Sequence, residues 1–208
     1  ETAIGELNTQ FGYTDDELKE ASRTMIQFSE INGADITTST INAKRAMEAY
    51  NLEASQLTPT LDQVTFVAQA TGQSVDLLFQ KATEGAPQIK ELGLSFSEGA
   101  TLIGQLEKAG VDSSATLTAM TKATAKYAKE GKTLSQGLSG TIEKIKNAES
   151  STAAFTAAAA VFGNKGAAKM IDAIKRGAFS LDGLSETAEK ANGTVANTFE
   201  ATLDPIDR

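Results

Sequence analysis

Cysteine, histidine and tryptophan are all missing from these 208 residues. Without Cys there is no disulfide and no thiolate nucleophile. With His gone as well, nearly every zinc, haem or iron–sulfur ligand set is excluded. The commonest general base at neutral pH goes with it. Aromatics are scarce at 6%, and proline occurs three times. The core must therefore come from small and aliphatic side chains, which suits closely spaced helices better than thick sandwiches. Basic residues are outnumbered, 19 Lys and Arg against 27 Asp and Glu, for a net charge of −8. Binding a polyanion needs clustered cations that release counterions, so no nucleic-acid binding is expected, and anionic membrane surfaces are disfavoured likewise. Long apolar runs are lacking too. The longest uncharged stretch, Ser150–Asn164, is too short and too polar for a bilayer that needs about 20 apolar residues. Residue 1 is Glu rather than Met, so the chain is expected to be cut from a longer protein.

What is present is helical rhythm. Apolar residues recur in steps of three and four at Leu18, Ala21, Met25 and Phe28, at Ala43, Met47 and Tyr50, and at Leu61, Val64 and Ala68. The pattern continues through Val75–Leu78–Ala82, Phe96–Ala100–Ile103–Leu106, Leu117–Met120–Tyr127 and Leu138–Ile142–Ile145. It ends with Phe155–Ala159–Phe162, Met170–Ile174 and Leu181–Leu184–Ala188–Ala191. Each set paints one stripe on a helix and leaves the other face polar. Ile36–Ile41 and Val64–Val67 look strand-like but fit a helix opening and a helix. The fold class predicted is all-α: a multi-helix bundle or irregular array of short antiparallel helices joined by tight Gly-containing corners.

The punctuation between stripes is specific. Gly12-Tyr13-Thr14 with Glu17, Gly93-Leu94-Ser95 with Glu98, Gly110-Val111-Asp112 and, more loosely, Asn51-Leu52-Glu53 share one grammar. Gly or Asn takes the left-handed conformation that ends a helix, and the next apolar residue packs back on the last turn. Thr, Ser or Asp then caps a new helix, with Thr14/Glu17 and Ser95/Glu98 forming capping boxes. Thr58-Pro59 reads as another start signal, and Pro87 should break the segment after Val75. These rules divide the chain into about nine or ten helices of about 8–17 residues. The glycine- and serine-rich Gly131–Gly140 is taken as a boundary between a main helical domain, 1–130, and a second helical lobe, 131–208.

Candidate sites reduce to punctuation as well. Gly131-Lys132-Thr133 resembles the tail of a phosphate-binding loop, but Lys126 stands where that motif requires Gly, and a helix rather than a strand precedes it. Gly163-Asn164-Lys165-Gly166 has the spacing of a backbone-gripping loop in an acidic chain without a sheet, and reads better as a helix–helix break. Asp15, Asp16 and Glu17 lie in a first helical turn, where the helix dipole favours negative charge, and lack the alternating spacing of a calcium loop. Ala153–Phe162 is small-residue packing. The periodicity places the carboxylates on exposed faces, with none alone on an apolar stripe as a glycosidase acid would require. No catalytic, cofactor-binding or metal residue is nominated, no cofactor is expected, and the chain is read as no enzyme.

The run Ala70-Thr71-Gly72-Gln73-Ser74-Val75-Asp76-Leu77-Leu78, followed by Lys90-Glu91-Leu92-Gly93-Leu94-Ser95-Phe96-Ser97-Glu98 and Leu106-Glu107-Lys108-Ala109-Gly110-Val111, resembles the core region of phage tail tape-measure proteins. So do the opening Ile4-Gly5-Glu6-Leu7-Asn8-Thr9-Gln10-Phe11-Gly12, the later Phe162-Gly163-Asn164-Lys165-Gly166-Ala167, and Thr198-Phe199-Glu200-Ala201-Thr202-Leu203-Asp204-Pro205. The order and spacing of these segments carry the resemblance, which covers nearly the whole chain. It implies a structural protein of a phage or prophage tail, made in the host cytoplasm and housed in the tail lumen. Its length would set tail length while tube subunits polymerise around it. Implied partners are the tail-tube protein, tail assembly chaperones and tail-tip proteins, with self-association. A continuous helix of this length would reach only about 310 Å, so this stretch would be one segment of a longer ruler. A second reading is a non-enzymatic helical adaptor of a bacterial protein, and a third, more distant, is a peptidoglycan hydrolase. Replacing Gly93 by Val is expected to lower unfolding free energy by more than about 1 kcal/mol, because a β-branched residue resists positive φ. An unchanged denaturation midpoint would refute the corner at that position.

Overall fold

A computed structural model describes residues 2–203, apart from the side chains of 2–4, 6, 10 and 15. Asp204-Pro205 of the tape-measure-like segment, and the side chains of Ile4, Glu6, Gln10 and Asp15, lie outside the described residues. Thirteen α-helices and one 3-10 turn follow in order, with no strand among the described residues. The helices are α1 (Thr2–Phe11), α2 (Asp15–Asn32), α3 (Ile36–Ala49), α4 (Leu57–Thr71), α5 (Val75–Glu84), α6 (Ala86–Glu91) and α7 (Phe96–Lys108). Then come α8 (Ser113–Lys129), α9 (Leu134–Lys146), α10 (Ser151–Phe162), α11 (Asn164–Lys175), α12 (Asp182–Lys190) and α13 (Thr194–Thr202). The 3-10 turn, Ala54–Gln56, precedes α4.

The all-α prediction holds, and the count of nine or ten helices is too low. The periodicity missed α1, α6 and α13, each of 10 residues or fewer. The six residues of α6 hold too few apolar positions to declare a stripe. The break expected at Pro87 falls at Gly85, and the proline then sits in the first turn of α6, where its missing donor costs nothing.

The corners follow the predicted grammar. Gly93 has φ +75°, and the amide of Leu94 reaches back to the Ile89 carbonyl at 3.0 Å. Val111 to Leu106, Lys132 to Tyr127 and Ala178 to Ala173 repeat that bond, which satisfies carbonyls a helix end would otherwise leave open. Asn51 is the one non-glycine with positive φ among the described residues. Ser95 and Glu98 form the expected capping box, and Asp112 accepts from the Ala115 amide. Thr14 and Glu17 do not: Thr14 has the extended backbone of an N-cap but makes no side-chain cap bond. Glu17 lines a shallow depression with Phe11, Tyr13 and Ala54 instead of folding back. Thr58 is likewise no cap, because the 3-10 turn carries the helix start upstream to Leu57.

The chain forms two compact units, residues 1–83 with 186–208, and residues 84–185. The expected boundary stretch Gly131–Gly140 lies inside the second unit, where it makes the α8–α9 corner and the first half of α9. In the first unit α2, α3 and α4 pack on one another, α1 covers α2 and α3, and α13 lies against α2 and α4. Leu7, Met25, Phe28, Ala43, Leu61, Val64 and Leu78 are buried there. The Phe28 and Phe79 rings meet at 6.2 Å. Tyr50 donates to the Ala82 carbonyl at 3.0 Å and Tyr13 to that of Ala54. Burial raises both phenols, Tyr13 to about 12 with help from the Glu17 charge.

The second unit centres on α10, which packs against α8, α9 and α11, while α6 and α7 cover α8. Small residues set the spacing. A Cβ on Gly137 would stand 2.2 Å from Tyr127 Cδ2, and one on Gly99 2.6 Å from Ile89 Cγ2. Buried threonines are tolerated because their hydroxyls bond back to carbonyls one turn earlier, as Thr101 to Ser97 at 2.8 Å and Thr141 to Gly137 at 3.0 Å.

Two glycines of α9 therefore respond oppositely to alanine. At Gly140 nothing lies within 4 Å of an added Cβ, so alanine should stabilise by up to about 1 kcal/mol through helix propensity. At Gly137 the collision is with the base of a ring whose hydroxyl is tied to Thr141 at 2.8 Å. Overpacking of about 1–3 kcal/mol should outweigh the propensity gain. Urea denaturation of the two variants checks the sign; equal midpoint shifts would refute the close contact.

Candidate functional site

Each candidate motif lands on helix punctuation. Gly131 has φ +70° after the end of α8, Lys132 pairs with Glu130 at 2.8 Å, and Thr133 caps α9 in a box with Gln136. Gly163, with φ +76° and ψ 155°, ends α10 and opens α11 in a single residue. Gly166 sits against Val111, where an added Cβ would be 3.0 Å from Cγ1. Lys169 donates to the Gly110 carbonyl. A cavity of ≈ 570 Å³ is framed there by the ends of α7 and α10 and the starts of α8 and α11. Asp16 and Glu17 are exposed on the first turn of α2. Among the described residues no three acidic side chains gather as a metal site, and no helix is long and apolar enough to cross a membrane.

One carboxylate departs from expectation. Asp62 is 3% exposed, on a helix that also buries Thr60, Leu61, Val64, Thr65 and Val67. The rule that every carboxylate sits on an outward face fails here. Its Oδ2 accepts from the Gly193 amide and its Oδ1 from the Val195 amide, both at 2.8 Å. Those amides open α13, whose N-cap residue is a glycine with no side chain of its own. A carboxylate from α4 thus does the work of an N-cap, across 131 positions of sequence, and its negative charge meets the positive end of the helix dipole. Burial raises the Asp62 carboxyl above its ordinary value, against the Val195 and Gly193 donors that lower it. Both oxygens are engaged, so the group is a structural clamp. The signal was in the sequence: Asp62 is the one charged residue between Glu53 and Asp76. A lone charge in such a stretch needs a partner, and which partner is a tertiary matter.

Two open grooves lie on the surface of the described residues. One, of ≈ 980 Å³, runs between α9 and α10 past Glu143, Lys144, Asn147 and Thr156. The other, of ≈ 640 Å³, lies between α2 and α13.

Asp62→Ala is expected to lose about 1–3 kcal/mol, chiefly from the buried Val195 amide left unsatisfied, with a smaller share from the half-buried Gly193 amide. Faster hydrogen exchange at Val195 would locate the loss, and an unchanged unfolding midpoint would refute the clamp. The pH dependence carries a definite sign. With the folded pKa raised above the ordinary 3.8, the proton binds the folded chain more tightly. This group's contribution is full below 3.8 and is lost as pH rises through the raised value. Asp62→Asn should remove that part of the pH profile.

Comparison with curated proteins and with solved structures gives no match. One family model does match, that of the phage-related minor tail proteins, over residues 2–198. It spans both units, from α1 to within α13. An all-helical chain matched over that length belongs to the phage-related minor tail protein family, and its role is structural, in a phage tail.

Proposed function

We propose that this chain is a segment of a tail tape measure, a non-catalytic ruler inside the tail tube around which tube subunits polymerise and whose length sets tail length. The observation that carries the reading is the build of the chain within a phage tail family. Helices of 6–18 residues follow one another through corners of one to seven residues, most of them three or four, often turning on a glycine. With its corners straightened, such a chain would convert residues into helical rise efficiently, as a ruler needs. The order of its glycine corners also resembles the tape-measure core. The only buried carboxylate among the described residues holds two backbone amides rather than a substrate, which supports a role without catalysis. In this reading the partners are the tail-tube protein, the assembly chaperones that cover the ruler before the tube forms, and the tail-tip proteins.

The test is tail length. In a phage carrying this chain, duplicating the codons for residues 2–203 in frame should lengthen tails measured by electron microscopy. The ceiling is about 300 Å, the reach of a fully extended helix at 1.5 Å per residue. Deleting them should shorten tails. Tails that assemble at unchanged length in both cases would overturn the ruler role.

A further inference from the structure

The groove between α2 and α13 departs from the rest of this acidic surface. Its walls are Leu18, Ile26 and Phe199, with Ile26 51% exposed and the other two half-buried, so the three share one apolar groove. Its rim carries Lys19 and Arg23, both exposed and neither in an ion pair among the described residues. Ser22 lies between them, and its Oγ is buried without a hydrogen-bond partner. In a chain of 27 carboxylates and net charge −8, no carboxylate lines this groove among the described residues.

We propose that the groove docks an amphipathic helix of another protein, one whose apolar stripe is flanked by Asp or Glu. The apolar walls follow from Leu18 and Ile26, two turns apart on a single face of α2 with Ser22 between them, and Phe199 of α13 opposite. That is the trough into which the i, i+3/i+4 stripe of an incoming helix fits. Lys19 and Arg23, also one turn apart, then meet the acidic flank of that helix. Charge complementarity selects the partner and speeds the encounter, while apolar burial holds it. A second copy of this chain is a poor occupant. Symmetric docking through the groove would bring Lys19 and Arg23 onto their own counterparts, and like charges across an interface disfavour it. The inference does not depend on the ruler role.

The test uses the full 208-residue chain and two designed helical peptides with the same leucine stripe, one flanked by Glu and the other by Lys. Fluorescence anisotropy should give at least about tenfold tighter binding of the Glu peptide at low salt, weakening as salt rises. Charge reversal at the rim, Lys19→Glu with Arg23→Glu, should cost the Glu peptide about tenfold and improve the Lys peptide. Ile26→Ser should weaken both peptides. These residues are exposed, and circular dichroism of each variant establishes that it folds; a variant that does not is replaced by Arg23→Gln. Equal affinity for the two peptides, or binding indifferent to the rim charges, would overturn the proposal. So would sedimentation showing that Ile26→Ser abolishes a dimer of the chain itself, which would make the occupant a second copy.

Discussion

Most helices described in this chain are too short to persist by themselves in water, and that constraint orders the rest. A helix of 6–18 residues repays its nucleation only when its apolar face is covered by a neighbour. The neighbour must arrive within a few residues, so the chain reverses at once, at most corners through a residue of positive φ. At Gly93 the cost of positive φ vanishes with the missing Cβ. The Leu94 amide closes the end of α6, and Ser95 opens α7 two residues after the turn. Corner, cap and covering helix arrive as one device. Repetition of that device, with Asn51 standing in once for glycine, builds both units.

Close approach is the second consequence. With few aromatics and no tryptophan, the core gains contact by bringing backbones together rather than by filling space with large rings. Gly99 beneath Ile89 and Gly137 beneath Tyr127 leave no room for a methyl group. Threonine serves in the same interfaces, because its hydroxyl is satisfied within its own helix and only its methyl faces the neighbour. Such packing suits a tail component, which needs rigid helical segments joined by short corners more than it needs a cleft.

Asp62 shows where a polar group serves the fold. The first unit is built from the two ends of the chain, residues 1–83 and 186–208, and something must fix the returning segment. Val195 and Ala191 supply apolar burial, which is adhesive but not directional. The two amides at the start of α13 supply direction, because they are met by a single carboxylate at 2.8 Å each. Gln69 Nε2 adds a bond to Thr198 Oγ1 at 3.0 Å on the same helix. The cost of burying a charge there is offset in part by donors that a glycine N-cap could not satisfy by itself.

The sequence by itself determined the class of fold and most of its corners, because stripes, capping residues and positive-φ glycines act within one or two turns of chain. Ser95 with Glu98, Asp112, Gly93 and the break before Pro87 were all legible for that reason. The short helices α1, α6 and α13 were not, and α6, with six residues, is too short to carry a stripe. The expected cap at Thr14 failed because Tyr13 reaches Ala54 and Glu17 faces the depression beside it, contacts made across distant sequence. Only the tertiary structure decided that the first unit takes both chain ends, that Asp62 caps a helix 131 positions away, and that Lys19, Arg23, Ile26 and Phe199 share one groove. Local rules fix where a helix begins and ends, but which faces meet depends on the packing of every stripe at once.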